Sequence, residues 1–168
     1  MPDTDFVTLL TEDHRHVEQL FKQFDETGDP EVASQIFLEL SVHSIIEEEL
    51  IYGLYSAKVD NAGAAEARAE HQEAKDLILA LEGMEPGSDE FVTTMTKLKT
   101  SVLHHVDEEE NEMFPKMLKA LPDTAPLLGN DLAARKIEVE KQLRADREVG
   151  MAPSTTNQKN VTSPEPGW

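Results

Sequence analysis

The pattern His, three residues, Glu, with an aromatic residue five positions after the glutamate, occurs twice in this chain. The two copies read HSIIEEELIYGL (43–54) and HHVDEEENEMFPKM (104–117). Residues four apart lie about 40° from one another around an α-helix, so each histidine shares a face with its glutamate. Apolar residues at spacings of three and four fall on the same face, which indicates that it points inward. A fold for this chain must therefore accommodate two histidines and two glutamates in a helical interior.

Helical periodicity extends through most of the chain, and no alternating strand pattern appears, so we expect an all-α fold. Four long helices are predicted at about 5–25, 30–58, 62–82 and 89–120. Short turns between long helices favour an up-down-up-down four-helix bundle, here residues 5–120. An additional C-terminal helix is predicted at 127–148. Residues 149–168, rich in Pro, Ser, Thr and Asn, are predicted to be a disordered tail.

Composition limits the classes of site and partner. The chain has 168 residues and no cysteine, so disulfides, thiolate metal sites and cysteine nucleophiles are excluded. The formal net charge of -19 would repel phosphate backbones and anionic membrane surfaces, which argues against nucleic acid or membrane partners. The first residues lack the features of a signal peptide, and no apolar run approaches the length of a membrane span. We expect a cytoplasmic protein.

The same helical phasing directs one further histidine inward from each of the other two long helices, namely His14 and His71. A single histidine on an apolar stripe is usually a core residue with a backbone partner. Four such histidines together with two buried glutamates would instead leave several polar groups without compensation, unless a metal satisfies them. His16 and His104 fall off the stripe and are not predicted to be ligands.

Four imidazoles and two carboxylates suit iron, manganese or zinc better than calcium or magnesium, which prefer oxygen ligands. Six ligands are too many for one zinc ion. They suit two metal ions that are bridged by two carboxylates, with two histidines on each ion. The predicted ligands are His14, His43, Glu47, His71, His105 and Glu109.

These residues resemble the hemerythrin-like (HHE) family, in its four-histidine, two-glutamate variant. The motifs that carry the resemblance are Asp13-His14 with Phe21, His43-x3-Glu47, Glu70-His71, and His105-x3-Glu109 followed by Phe114-Pro115. The resemblance covers about residues 5–120. It implies two non-haem iron ions, bridged by an oxo or hydroxo group, that meet O2 or a reduced oxygen species.

The sequence departs from the oxygen-carrying members of that family at Lys75, where they place a fifth histidine one turn after His71. Exchangeable positions would then remain on both irons, which favours reaction with peroxide over reversible O2 carriage. Lys75 either hydrogen-bonds a bound oxygen species or extends to the surface. Tyr55, about 100° from the ligand stripe, is either a phenolate ligand, a hydrogen-bond donor or a packed aromatic residue. The second departure is Gly53, where the family often has proline.

Two functional hypotheses follow. The first is catalase-like decomposition of hydrogen peroxide, in which Glu47 and Glu109 hold the irons together and Tyr55 and Lys75 are candidate catalytic residues. The alternative is a sensor or store that binds O2, NO or iron without turnover. A third interpretation, a structural metal bundle, would be supported by zinc in the purified protein. Under the first two, the partners are small oxygen or nitrogen species.

Overall fold

The structure, a computed structural model, describes residues 5–149 and forms a four-helix bundle with one additional helix. The helices are α1 (Phe6–Thr27), α2 (Pro30–Leu50), α3 (Tyr52–Lys58), α4 (Asn61–Glu82), α5 (Asp89–Glu108), a π-helical segment (Glu109–Met113), α6 (Phe114–Ala120) and α7 (Ala125–Glu148). Four antiparallel columns arise from α1, α2 with α3, α4, and α5 with α6. Helix α7 packs against α1 and α2. The predicted all-α bundle with a C-terminal helix is confirmed. The predicted disordered tail lies outside the described residues, apart from Val149.

Polar side chains and glycine define where the helices begin and end. The Asp5 carboxylate accepts a hydrogen bond from the Thr8 N–H at 2.8 Å at the start of α1. Gly28 ends that helix with φ of 61°, a left-handed conformation that glycine adopts without steric cost. Asp29 then caps α2, whose first residue, Pro30, has no N–H that would need a partner. The first two long helices therefore meet in a short, well-defined turn.

Two of the predicted helices are not continuous. The helix expected at 30–58 is divided at Ile51, whose backbone (φ -109°, ψ -54°) departs from α-helical values. The helix expected at 89–120 contains the π-helical segment, in which the Phe114 N–H donates to the Glu109 carbonyl. Both irregularities fall in the turn that follows the glutamate of a His-x3-Glu copy. The prediction of continuous helices was wrong at these two points, because apolar periodicity does not reveal where one turn of the backbone departs from α-helical geometry.

Two apolar clusters lie at opposite ends of the bundle. One includes Phe6, Leu10, Val42, Ile46 and Phe114 and extends to α7 through Leu132, and the other lies around Phe21, Ile36, Phe91 and Leu98. The histidines and glutamates on the inward faces, at about the middle of each column, lie between these clusters. Within residues 5–149, no helix combines the length and apolarity needed to cross a bilayer.

Candidate metal centre

The six residues that the helical phasing directs inward meet between the two apolar clusters. All six are buried, and Glu47 and Glu109 are 0 % and 1 % exposed. Each carboxylate reaches histidines from two sides of the bundle. Glu47 lies 3.0 Å from His43 Nε2 through Oε1 and 3.2 Å from His71 Nε2 through Oε2. Glu109 Oε1 lies 3.0 Å from His105 Nε2 and 3.4 Å from His14 Nε2.

The histidines form two pairs, one on each side of the carboxylates. In the first half of the centre, His14 and His43 bring their Nε2 atoms within 3.1 Å. In the second half, His71 and His105 do so at 3.0 Å. The ligand atoms of the first half lie close enough to those of Glu47 and Glu109 to hold one ion, and those of the second half do so with Glu47.

The outer nitrogen of every one of these histidines faces a carboxylate. The distances from Nδ1 are 3.2 Å for the pairs His14–Glu110, His43–Asp13 and His71–Glu48, and the fourth pair is His105–Glu70. An ionised carboxylate can only accept a hydrogen bond, so a neutral imidazole must carry its proton on Nδ1. Each inner Nε2 then offers a lone pair to the centre, which is the arrangement that metal-binding histidines adopt.

Hydrogen-bond acceptors consequently crowd the centre. Four Nε2 lone pairs and the oxygens of two carboxylates converge, and Oε1 of both Glu47 and Glu109 is buried without a hydrogen-bond partner among the described residues. Buried acceptors that lack donors are costly, and buried carboxylates need cations. Nitrogen and oxygen donors in two groups fit two metal ions, so the donor set agrees with the metal pair that the family resemblance implies.

The protonation preferences of the side chains reflect the same negative field. Burial alone would lower the pKa of His43, but the Glu47 carboxylate outweighs it, and with the Asp13 hydrogen bond it raises this pKa to about 10. Burial likewise opposes the Glu109 carboxylate at His105, whose pKa is raised. Burial would raise the pKa of Glu47, yet His43 holds it well below its usual value. Without a metal, the two carboxylates therefore favour a second proton on His43 and His105; bound cations would take the place of these protons and leave the Nε2 lone pairs as donors.

Sequence reasoning missed Tyr52, whose hydroxyl lies in the second half of the centre. Its oxygen is 2.9 Å from Glu47 Oε2, 3.3 Å from Glu109 Oε2 and 2.9 and 3.1 Å from Nε2 of His71 and His105. Burial, followed by the two carboxylates, raises the pKa of Tyr52, so the hydroxyl is a donor when no cation is bound. The signal that could have identified it is its alignment with Phe114 in the two His-x3-Glu copies.

The other two candidate catalytic residues, Lys75 and Tyr55, lie at different places beside the centre. The Lys75 ammonium donates to both oxygens of Glu48, at 2.9 and 3.0 Å, and Glu48 in turn faces His71. Tyr55 is buried beside a separate polar cavity of about 190 Å³ that also borders Glu109 and His105. His16 and His104 are exposed, as the phasing predicts. Glu48 and Glu110, which directly follow the motif glutamates, orient the imidazoles of His71 and His14.

A small, mostly apolar cavity of about 40 Å³ lies next to all four histidines. Its apolar wall comes from α1, α2, α4 and α5 and consists of Val17, Leu40, Ala74, Ile78, Val102 and Val106. The side chain of Lys75 borders it as well. A cavity of this volume holds a molecule no larger than a water or a few atoms, so the space beside the histidines admits small molecules.

Comparisons with known proteins agree with this fold and donor set. The model of the hemerythrin HHE cation-binding domain matches residues 5–117. A crystal structure of a hemerythrin HHE cation-binding domain-containing protein from Mycobacterium kansasii superposes with a TM-score of 0.76 at 24 % identity, covering 86 % of this chain and 93 % of that one. This likeness concerns the fold.

Two curated relatives are similar over much of this chain. A DNA nickase of Nostoc sp. is 25 % identical over 146 residues, which are 84 % of this chain and 42 % of the nickase. An uncharacterised hemerythrin-like protein of Schizosaccharomyces pombe is 27 % identical over 125 residues, 70 % of this chain and 62 % of that protein. The chain thus spans less than two thirds of the length of either relative.

Proposed function

This chain belongs to the hemerythrin HHE cation-binding family, and we propose that its buried centre holds two non-haem iron ions and decomposes hydrogen peroxide in the manner of a catalase. The observation that carries the proposal is the excess of acceptors. Four Nε2 atoms and two carboxylates converge, and a carboxylate oxygen of each glutamate has no donor within the described part of the chain. Two bound cations would satisfy these groups together.

Each residue of the centre has an assigned position in this proposal. His14 and His43 would hold one iron, His71 and His105 would hold the other, and the two glutamates would contribute to both. The Tyr52 hydroxyl lies near enough to the second-half donors to bind the same ion as a phenolate. The guanidinium of Arg68, 5.7 Å from the centre of the Tyr52 ring, adds positive charge on the ring face, which favours the phenolate form.

Mixed imidazole and carboxylate donors suit both iron and zinc. Iron is favoured over zinc for the proposed reaction because it changes oxidation state, whereas zinc does not. When bound, an iron pair supplies the two-electron redox change by which one peroxide is oxidised to O2 while a second, taking up the two protons released, is reduced to two waters. The glutamates keep both ions within reach of one substrate. The four carboxylate partners hold each imidazole in the tautomer that ligates.

The surroundings of the centre suit a small, uncharged substrate. The cavity beside the four histidines has a volume of about 40 Å³ and a wall of aliphatic side chains, so hydrogen peroxide or a diatomic gas fits it. The Tyr52 hydroxyl is the group in this centre that can hold or release a proton beside Glu47. Peroxide chemistry requires such a group, because protons move from one peroxide to the next.

Lys75 supports reaction rather than reversible carriage of O2. It stands where the oxygen-carrying members of the family have a further histidine, and its ammonium pairs with Glu48 instead of reaching the inner donors. A protonated lysine cannot ligate a metal. The second half of the centre would therefore keep a position for substrate beside His71, at the edge of the cavity.

DNA cleavage, the activity in the name of the Nostoc relative, is not part of this proposal. The chain spans 42 % of that protein, and its net charge of -19 would repel a phosphate backbone. A cytoplasmic location remains a proposal that rests on the sequence, since a chain without cysteine suits a reducing compartment.

The test is iron quantification on the purified full chain, followed by an oxygen-electrode measurement after peroxide is added. We expect two irons per chain, an absorption band in the near ultraviolet, and one O2 released for two peroxides consumed. Loss of peroxide without O2 would indicate a peroxidase that uses another reductant.

Two other outcomes would overturn the proposal. Two irons that bind O2 or NO reversibly and leave peroxide intact would make the chain a sensor or a store. Zinc in place of iron, with no visible absorption, would make the metal pair structural. The apolar cavity accommodates a diatomic ligand as readily as peroxide, so the oxygen-electrode result decides between turnover and binding.

A further inference from the structure

Helix α7 contacts the first half of the centre through a chain of three polar side chains. The Lys136 ammonium donates to Asp13 Oδ1 at 2.5 Å. The other oxygen of Asp13 faces His43 Nδ1 at 3.2 Å, and His43 Nε2 is an inner donor of the centre. An uninterrupted polar path therefore leads from the outside of the bundle to one of the proposed ligands.

This path involves a helix that the family model does not cover. The match ends at residue 117, whereas α7 begins at Ala125. Helix α7 is nevertheless well packed, since it adds Leu128, Leu132, Val139 and Leu143 to the apolar cluster beneath the centre. Lys136 is thus held on a well-packed helix from which its ammonium reaches Asp13.

Asp13 needs two partners because it is largely buried. Its side chain is 12 % exposed, and a buried carboxylate without compensation destabilises the fold. His43 satisfies one oxygen and Lys136 the other. With both contacts in place the carboxylate cannot rotate, so the direction of the His43 ring depends on the lysine.

We propose that Lys136 is a positioning residue of the metal centre, which acts through Asp13 to fix the orientation and donor strength of His43. Helix α7 is then part of the centre. This inference rests on the proposed function in one respect, which is that the centre holds iron.

Removal of the Lys136 charge has two effects of the same sign on the midpoint potential of the iron. The Asp13 carboxylate becomes a stronger acceptor for the His43 Nδ1–H, which makes His43 a better donor to oxidised iron. The loss of a nearby positive charge also favours the more highly charged oxidised state. Both effects shift the midpoint potential to more negative values. Asp13 also loses one of its two hydrogen-bonding partners. We therefore expect iron to be released about tenfold faster, which is the lower end of the effect of removing a hydrogen-bond partner of a metal ligand.

The neighbouring residue Arg135 provides a matched control. It also links α7 to α2, since its guanidinium donates to both oxygens of Glu49 at 2.7 and 3.1 Å. Both partners are more than 40 % exposed, and Glu49 is not among the carboxylates that face the four histidines. Arg135→Met thus removes one cation and one contact between helices from the same helix, away from the proposed ligands.

The experiment compares iron-loaded full chains of the wild type, Lys136→Met and Arg135→Met at equal iron content. The measurements are the midpoint potential and the rate of iron release to a chelator in excess. We expect Lys136→Met to show a more negative potential and about tenfold faster release, and Arg135→Met to match the wild type. Lys136→Arg, which keeps the charge, should restore both values.

Two further variants separate the path through Asp13 from a general effect on folding. Lys136→Gln removes the charge and keeps a hydrogen-bond donor for Asp13. If Lys136→Met proves to unfold α7, Lys136→Gln should still show the more negative midpoint potential. In an Asp13→Asn background, Lys136→Met should change the release rate little, because the link that transmits the effect is already weakened.

The possible failures are distinguishable. Equal potentials for wild type and Lys136→Met, each with two irons, would overturn the role of Lys136 and leave the iron centre intact. The same potential shift in Arg135→Met would also overturn it, since any surface cation would then suffice. A wild type that holds no iron pair would overturn the proposed function, and this inference with it.

Discussion

The two halves of the centre are built from copies of one sequence motif, yet their surroundings differ. Each half receives its aromatic residue from the motif copy whose histidine lies in the other half. In the first half this residue is Phe114, whose ring stacks on His14 at 6.0 Å with 6° between the planes. In the second half it is Tyr52, whose ring is tilted by 37° against His71 and whose hydroxyl enters the centre. One half is thus closed by a hydrocarbon and the other by an oxygen donor, so the two proposed iron positions are chemically different.

The backbone after the two glutamates differs as well. Tyr52 lies five residues after Glu47, about 140° away around an undistorted helix, and it reaches the centre only because the helix is irregular at Ile51. After Glu109 the chain forms a π-helical turn instead, and Phe114 packs against Phe6 and His14. Distortions of this kind are often found at functional sites. The same motif can therefore present two different side chains.

The charges outside the histidines differ as well. In the first half, both orienting carboxylates have a cationic partner, since Arg15 donates to Glu110 and Lys136 to Asp13. In the second half, Lys75 pairs with Glu48, whereas Glu70 interacts with another carboxylate, Glu108, and the pKa of Glu108 is raised as a result. Glu70 thus faces a like charge, whereas Asp13 and Glu110 each face a cation.

The largest effect should come from the residues that the two halves share. We predict that Glu47→Ala or Glu109→Ala abolishes binding of the metal pair, because each carboxylate contacts a histidine of both halves. Iron per chain after reconstitution is the measurement, with helical content recorded by circular dichroism to exclude unfolding.

His16→Ala is the control for this prediction, since His16 lies on the same helix as His14 with its side chain 47 % exposed. It should retain two irons. If His16→Ala emptied the centre while Glu109→Ala left it full, the assignment of the inward face would be wrong for both halves.

The next effect concerns the residue that makes the halves unequal. Tyr52→Phe removes one oxygen and makes the second half resemble the first. We expect two irons to remain, visible absorption from a phenolate ligand to disappear, and peroxide consumption to fall about a hundredfold, the lower end of what a positioned acid or base contributes. Tyr55→Phe, one turn further along α3, is the matched control and should change neither property. The reverse result would restore Tyr55 as the functional tyrosine.

The contrast between these tyrosines indicates what the sequence could reveal. Periodicity was sufficient for the bundle and for the burial of His14, His43, His71 and His105, because a regular helix turns by a constant angle. The burial of Tyr52 beside them depends on one irregular residue, Ile51, which leaves no mark in apolar spacing. Alignment of the two motif copies was the available signal, since it pairs Tyr52 with Phe114.

The partners of the outer histidine nitrogens were predictable in part. Asp13 and Glu70 directly precede His14 and His71 in the sequence, yet each faces a histidine on a neighbouring column, His43 and His105 respectively. Such pairings depend on how helices are placed beside one another, which a single sequence does not specify. The contact between Lys136 and Asp13 spans 123 positions and was beyond reach for the same reason.

Lys75→His should sharpen the comparison at the second half. The new imidazole would lie about 40° from His71 and one turn away, where it can occupy the position left for substrate. We expect peroxide consumption to fall about tenfold, equivalent to about 1.4 kcal/mol of barrier, with two irons retained. Lys75→Met is the control, because it removes the Glu48 ion pair without adding a donor. Unchanged turnover in Lys75→His would mean that Tyr52 already closes this position.

The smallest effect tests whether the residue after each aromatic side chain matters. Tyr52 is followed by Gly53 and Phe114 by Pro115. Gly53 has no positive φ, and a Cβ there would meet nothing within 4 Å, so Gly53→Ala should stabilise α3 by about 0.5–1 kcal/mol and raise Tm by roughly 1–4 °C. Gly63→Ala is the contrasting control, since its Cβ would lie 2.8 Å from Asp60 Oδ2 and 3.2 Å from Tyr55 Cε1. This substitution should stabilise the protein less, or destabilise it.

Iron content and peroxide turnover should be unchanged in Gly53→Ala. A loss of turnover at full iron content would mean that the freedom of Gly53, in addition to the irregular Ile51, brings the Tyr52 hydroxyl into the second half.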